Sequence, residues 1–249
     1  MNQILLVLYQ KKVIREMSKS KSRKILPRIP EGEAIIDMPE LSMEELNEEF
    51  KKRMREYRTF VKFILYKLNV KDNSKVLEIG PGPAWITIIM AQENSTLKIT
   101  GLEISEDMIR VANKNIEAEG VKDQIEFIQG SAEDMHQFDV NSFDVIITHD
   151  SLHHWDEPEK IFNEIARVLK PNGIFCIGDG RRDIGLGARL IYNVMKLRLP
   201  KEISYYWKTS INAGYTPEEI SEILDKTDLK NKYKVIPDLF EILIINKLQ

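Results

Sequence analysis

Ser74-Lys-Val-Leu-Glu-Ile-Gly-Pro-Gly-Pro-Ala84 is the stretch that decides the fold class. A short apolar run, Val76 to Ile79, stops at a Gly-Pro-Gly-Pro turn, and a helical pattern starts at Ala84. The order reads as buried strand, glycine-rich loop and helix N-terminus. Such a loop lets a ligand approach bare backbone, and the helix end offers N–H donors and the positive pole of its dipole. In an open α/β sheet this first strand-to-helix turn is where a nucleotide-like ligand sits. The dinucleotide fingerprint wants a third glycine three residues after the second, where helix and strand pack closely. Counting on from Gly80 and Gly82, that position holds Trp85, the bulkiest replacement available. Glu78, two residues before Gly80, puts a carboxylate at the C-terminal end of the strand.

A chain of 249 residues fits one α/β domain with additions. Its net charge of −3 provides no global pull toward nucleic acid. Cys176 is the only cysteine, so an intrachain disulfide is impossible and a cytoplasmic home is expected. Ile4 to Leu8 is apolar but too short for a secretory core, with no basic residue before it. No other segment approaches transmembrane length, and a soluble protein with no membrane partner is expected. Residues 1–41 read as an N-terminal arm and linker: Lys11 to Lys24 is rich in Lys, Arg and Ser, and Pro27, Pro30 and Pro39 interrupt any helix.

Residues 42–249 form the main domain. Ser42-Met-Glu-Glu45 matches a capping box, and Leu46, Phe50, Met54, Tyr57, Val61, Ile64 and Leu68 follow at helical spacing, giving one or two helices over 42–70. Residues 71–180 alternate strand and helix patterns. Leu97 to Glu103 is a second strand ending in a carboxylate, 21 residues beyond Gly82, near the spacing at which an acid reaches ribose hydroxyls. Ser105 caps a helix from Glu106 to Glu119, closed by Gly120. Ile104 and Met108 flank Glu103, where apolar side chains sandwich an adenine or simply join the core. Gln124 to Gln129 is a third strand and Asn141 to Thr148 a fourth. Helix Ile161 to Leu169, the turn Lys170-Pro-Asn-Gly173 and strand Ile174 to Ile177 come next. Leu186 to Leu199 reads as an apolar helix, followed by Tyr205, Tyr206 and Trp207. Residues 181–215 form an insertion, and 216–249 a last helix, opened by Thr216-Pro-Glu-Glu219, with two strands.

Glu78 with Gly80-Pro81-Gly82 resembles the first motif of class I S-adenosylmethionine-dependent methyltransferases. Phe143-Asp-Val-Ile-Ile147, the Leu-His-His-Trp155 segment and Val168-Leu-Lys-Pro-Asn-Gly-Ile174 resemble small-molecule members of that class, and the motifs keep the family's order over about 100 residues. The resemblance implies a Rossmann-like, doubly wound α/β fold with a seven-stranded, mostly parallel sheet whose last strand is antiparallel. It implies S-adenosyl-L-methionine as cofactor, on the Gly80 loop, Glu103 and the Ser131-Ala132-Glu133 loop. Within that loop the Ala132 N–H meets a ring nitrogen and Glu133 or Asp134 the exocyclic amine, with Glu133 favoured by the family pattern. It also implies that the helices over 42–70 roof the substrate site, with Tyr57 and Arg58 as contacts, and that the insertion shapes an acceptor pocket.

After the fourth strand, His149, Asp150 and His153 stand at the sheet edge beside the expected methyl group. Asp150 and His153 are the candidates to orient a nucleophile or take its proton; His149 is counted with the cofactor site. No second cysteine or ordered acidic triad completes a zinc pattern around His149, His153 and His154, so no metal is expected. Arg181 or Arg182 holds an acidic group of the acceptor, or else pairs with Asp179 or Asp183. A small-molecule acceptor is expected, because the Asn/Asp-Pro-Pro-aromatic motif of nucleic-acid amino methylation is missing. The rival readings are a cofactor-binding module without catalysis and an NAD-dependent oxidoreductase. Trp85 and Leu-His-His-Trp155 speak against the second.

Overall fold

The computed structural model describes residues 27–30, 42–197 and 199–246. Most of the expected arm, including Ile4 to Leu8 and the basic run, lies outside these residues. Helix α1, Met43–Lys51, starts at the expected capping box: the Ser42 N–H donates to Glu45 at 2.8 Å and the Glu45 N–H to Ser42 Oγ at 3.2 Å. Helix α2, Met54–Lys62, continues through a π-helical turn at Phe63–Lys67. The apolar stripe read from the sequence is therefore split between two helices at Lys52 and Arg53.

The sheet contains β1 (Lys75–Ile79), β2 (Lys98–Glu103), β3 (Ile125–Gln129), β4 (Phe143–His149), β5 (Leu169–Gly180), β6 (Tyr233–Pro237) and β7 (Glu241–Asn246). Their order is β3-β2-β1-β4-β5-β7-β6. The first five are parallel, and β7 runs antiparallel to both β5 and β6. This is the seven-stranded fold expected. The chain leaves β1 outward to β3, then returns to β1's other side with β4, so β1 and β4 flank the switch point where such sheets bind ligands.

Strand parity decides what each face receives. Val76, Ile99, Val145 and Ile147 join a core beneath α2, α3 (Trp85–Glu93) and α4 (Glu106–Ala118). Leu77, Ile79, Ile146 and Phe175 join the opposite core beneath α5 (Pro158–Val168) and α8 (Pro217–Leu224). Glu78, in phase with Val76, and His149, in phase with Val145 and Ile147, therefore face the N-terminal helices.

Two elements differ from the sequence reading. The turn Lys170–Gly173 lies within β5: Phe143 pairs with Leu169 and Val145 with Ile174, so four residues bulge opposite Asp144, whose carboxylate takes Lys170 Nζ at 2.7 Å. The insertion contains two helices, α6 (Leu186–Lys196) and α7 (Lys201–Ala213), where one was expected. Pro200 stands between them, in the extended conformation that precedes a helix.

Candidate active site

The C-terminal ends of β1, β2, β3 and β4 open into one cavity of about 500 Å³. Its lining gathers Glu78, Gly80, Pro81, Gly82, Glu103, Ile104, Met108, Ser131, Ala132, Glu133, His149 and Asp150, together with Tyr57; His153, Arg58, Asp134, Arg181 and Arg182 lie outside it.

One end is built largely from backbone. Gly80 has φ +64°, and a Cβ there would stand 2.6 Å from Ser151 Oγ, so both space and conformation exclude a side chain. Gly82 has φ +52°. Its N–H donates to one oxygen of Glu103 at 3.0 Å, while the Ser105 N–H donates to the other at 3.0 Å. Burial raises the Glu103 carboxyl, and these N–H groups pull it back. Ile104 is 65% exposed yet lines the cavity, an apolar rim beside that carboxylate. Of the two acids left open by the sequence, Glu133 faces the cavity, whereas Asp134 turns outward to His136.

Trp85 occupies the helix position where a dinucleotide loop would need glycine. Its indole N–H donates to Asn47 of α1 at 3.0 Å. Asn115 of α4 donates to the same oxygen at 2.9 Å and to the Pro83 carbonyl at 2.8 Å. Asn47 thus clasps the outside of the glycine loop. Beneath it, Glu78 is fully buried, bonded to Thr87, and burial pushes its carboxyl up to about 7.

The other end is built from side chains. His149 lies edge-on between Tyr57 and Phe60 of α2, with ring centroids 5.9 and 4.6 Å away. Its Nδ1 is 3.1 Å from Asp150. Asp150 sits at φ +55°, a strained backbone position for a non-glycine residue. Arg53 pairs with both Asp150 and Glu56. Burial opposes ionisation of Arg53, His149 and Asp150, but opposite charges outweigh it. Arg53 and His149 hold the Asp150 carboxyl well below the usual carboxylate range, and Asp150 raises the His149 imidazole to about 9. Glu241, at the start of β7, is pushed up to about 7 by burial, with Asp150 and Glu56 adding to the rise and His149 opposing it. Met43, Phe50, Tyr57, Trp155 and Tyr206 complete the wall.

Several expectations need correction. His153 lies outside the cavity lining: its N–H and its ring Nδ1 both meet the buried Asp179 carboxylate, at 2.9 and 2.8 Å. The 3-10 turn Leu152–His154 directs its ring toward β5 rather than along the sheet edge. Arg58 is exposed, because it lies one residue beyond Tyr57 on α2; Arg53, one turn before Tyr57, shares its face instead. Of the two readings for the arginines, pairing with an aspartate holds for Arg181, which donates to Asp183 at 2.7 Å, while Arg182 donates to Glu219 and the Gly214 carbonyl. Among the described residues, Glu56, His149 and Asp150 bring one ligand atom each within 4.8 Å of one another. Arg53 already supplies positive charge to both of those carboxylates. Sequence reasoning did not find Arg53, Glu56 or Glu241. The only signal for Arg53 was its i, i+4 relation to Tyr57.

A family model described as a methyltransferase domain matches residues 70–231. The chain is 28% identical over 110 residues to an erythromycin 3''-O-methyltransferase of Saccharopolyspora erythraea, covering 44% of this chain and 36% of that one. It is 30% identical over 193 residues to a sterol 24-C-methyltransferase of Aspergillus fumigatus, covering 70% of this chain and 47% of that one. The chain thus spans less than half the length of these relatives. The solved structure of the plantazolicin methyltransferase BamL, in complex with a triazolic desmethylPZN analog and SAH, matches with a TM-score of 0.63 at 23% identity. That match covers 91% of this chain and 79% of that one, and is a likeness of fold.

Proposed function

The chain belongs to the methyltransferase domain family of class I, S-adenosylmethionine-dependent enzymes, and on that premise we propose that it methylates a small-molecule acceptor in the cavity at the sheet edge. The carrying observation is that a glycine loop whose Gly80 has no room for a Cβ, a carboxylate at the end of β2 and an acidic loop after β3 line the same cavity as Asp150.

The residues present fit S-adenosylmethionine. Glu103 would accept from the ribose hydroxyls, Ile104 and Met108 would flank the adenine, and Ala132 and Glu133 would read its edge. The Gly80-Pro81-Gly82 loop and Glu78 border the amino-acid portion. When bound, the cofactor supplies a methyl group already attached to a good leaving group. What remains for the protein is to align the acceptor and exclude water.

Asp150 is the group that orients the acceptor. Arg53 and His149 keep it ionised, so it accepts a hydrogen bond from an acceptor O–H or N–H, fixes the direction of the lone pair and receives the proton that the newly methylated, positively charged atom gives up. His149 is an imidazolium near neutral pH, which makes it a poor base and a good anchor for Asp150. His153 acts as a positioning residue, holding the β4 loop to Asp179 on β5. Phe50, Tyr57 and Tyr206 give the acceptor aromatic walls, which favours an apolar or aromatic molecule over a nucleic acid. A cytoplasmic site of action accords with a lone, buried thiol at Cys176.

Calorimetric titration with S-adenosylhomocysteine, with NAD in parallel, tests the reading. Binding of the first alone, lost in Glu103→Ala, is expected; binding of NAD instead would overturn it.

A further inference from the structure

Helix α6 has more apolar surface than its own packing uses. Ala188 and Tyr192 are buried in a small separate core with Ile184, and Tyr192 stacks on Trp207 of α7 with ring centroids 6.2 Å apart. Yet Leu186, Leu190, Ile191, Val194 and Met195 remain 45–67% exposed, and Leu197, just beyond the helix, is 86% exposed. At 3.6 residues per turn, these positions sweep the outward side of α6, leaving only a strip of Arg189, Asn193 and Lys196 polar. A helix apolar on both its inward and outward sides is built for a partner on each.

Charge selects that partner. Between residues 184 and 201 the sequence holds Arg189, Lys196, Arg198 and Lys201 and no Asp or Glu, in a chain where acids outnumber bases 39 to 36. A second copy seated on the same face by two-fold symmetry would bring two such cationic strips together. Residues 1–26 carry seven Lys or Arg against Glu16 alone, so they repel this face as well. An anionic surface with an apolar interior satisfies both features at once.

We propose that α6 is a peripheral membrane contact, lying in the plane of an anionic phospholipid surface with Leu186, Leu190 and Val194 among the acyl chains and Arg189 and Lys196 at the phosphates. Among the described residues no helix is long and apolar enough to cross a membrane, and this contact needs none. It goes beyond the chemistry at the sheet edge and does not depend on it.

Sedimentation of the full chain with vesicles of phosphatidylcholine and phosphatidylglycerol, against phosphatidylcholine alone, tests the proposal. Binding to the mixed vesicles only is expected, weakening as salt is raised. It should fall about tenfold in Leu190→Ser, from one lost leucine burial, and about fivefold in Lys196→Gln, from one lost cation at the surface. Thermal melting of each variant serves as the fold control, and both should melt with the parent. Absence of binding by the parent would overturn the proposal. So would equal binding by Leu190→Ser, which would assign the affinity to another segment such as residues 1–26. A dimer in equilibrium sedimentation that Leu190→Ser splits would make a second copy the occupant and overturn it too.

Discussion

The two ends of the cavity are assembled in different ways. At the end proposed for the cofactor, the lining comes from the last residues of a strand or the few that follow it: Gly80 after β1, Glu103 on β2, the Ser131–Glu133 loop after β3. At the other end, proposed for the acceptor, Tyr57 comes from α2, His149 and Asp150 from the end of β4 and Tyr206 from α7, with Arg53, the residue before α2, and Glu241 of β7 set behind the His149 and Asp150 pair. The first end is fixed by local backbone conformation, the second by charges from distant segments that neutralise one another in a buried place. The contrast predicts that mutations at the second end will act on stability and turnover, and mutations at the first on cofactor affinity.

Arg53→Met is the most disruptive test. It strips the compensating cation from Asp150 and Glu56, and should cost about 2–3 kcal/mol of stability, at or below the low end for breaking a fully buried pair, because Arg53 and Asp150 are partly exposed. Thermal and denaturant unfolding would record it. Cofactor-analogue affinity, measured on the fraction that stays folded, should change little; a large loss there would break the division. Glu103→Ala removes a carboxylate able to bond two hydroxyls. A fall of about a hundredfold in S-adenosylhomocysteine affinity is expected from two charge-assisted hydrogen bonds, with unfolding less affected.

His153→Ala deprives Asp179 of one buried donor and should lower stability by about 1–3 kcal/mol. If His153 positions the loop, kcat falls while its dependence on pH keeps its shape. Loss of a titration from the rate profile would instead return His153 to the role of base.

The gentlest test is pH. The folded-state pKa of His149 is raised to about 9 and that of Glu241 to about 7. Groups with raised pKa values contribute stability that is complete below their unfolded pKa values, about 6.5 and 4.3, and lost as pH climbs through the folded ones. The melting temperature should therefore drift downward from about pH 5 to pH 9. Glu241→Gln should flatten the part near pH 7, and nuclear magnetic resonance titration of His149 should show its midpoint moving down in that variant. A midpoint near the ordinary histidine value in the parent would remove the ion-pair account of this end.

The same contrast explains what could be read from the sequence. Strand, loop and helix signals around Val76 to Ala84 and Leu97 to Glu103 are local: a glycine forced to positive φ and an acid at a strand end are visible in a short window. They gave the first parallel strands and most of the residues that line that end of the cavity, while the seven-stranded topology came from the family resemblance. The Arg53, Glu56 and Glu241 cluster has no local mark, because Glu241 meets β5 across a register of Gly180 to Glu241, 61 residues apart in the chain. Tyr57 lines the cavity, but Arg58, named beside it, faces solvent, and Arg53 went unread, since adjacency in sequence is not adjacency on a helix face. His153 looked like Asp150 in the sequence, and only the short turn at Leu152–His154 separates their directions.

Because β7 is inserted between β5 and β6, the order of synthesis matters. A growing chain carries β5 with one bare edge until residues 241–246 have left the ribosome, long after β1 to β4 can pair. The strands that carry Gly80, Glu103 and Asp150 all precede residue 241 in the chain, whereas Glu241, whose carboxyl is electrostatically linked to His149 and Asp150, is made last. A translational pause before residue 241 thus leaves an unpaired edge open to the wrong neighbour, and a ligand that binds the early half would shorten the search that follows.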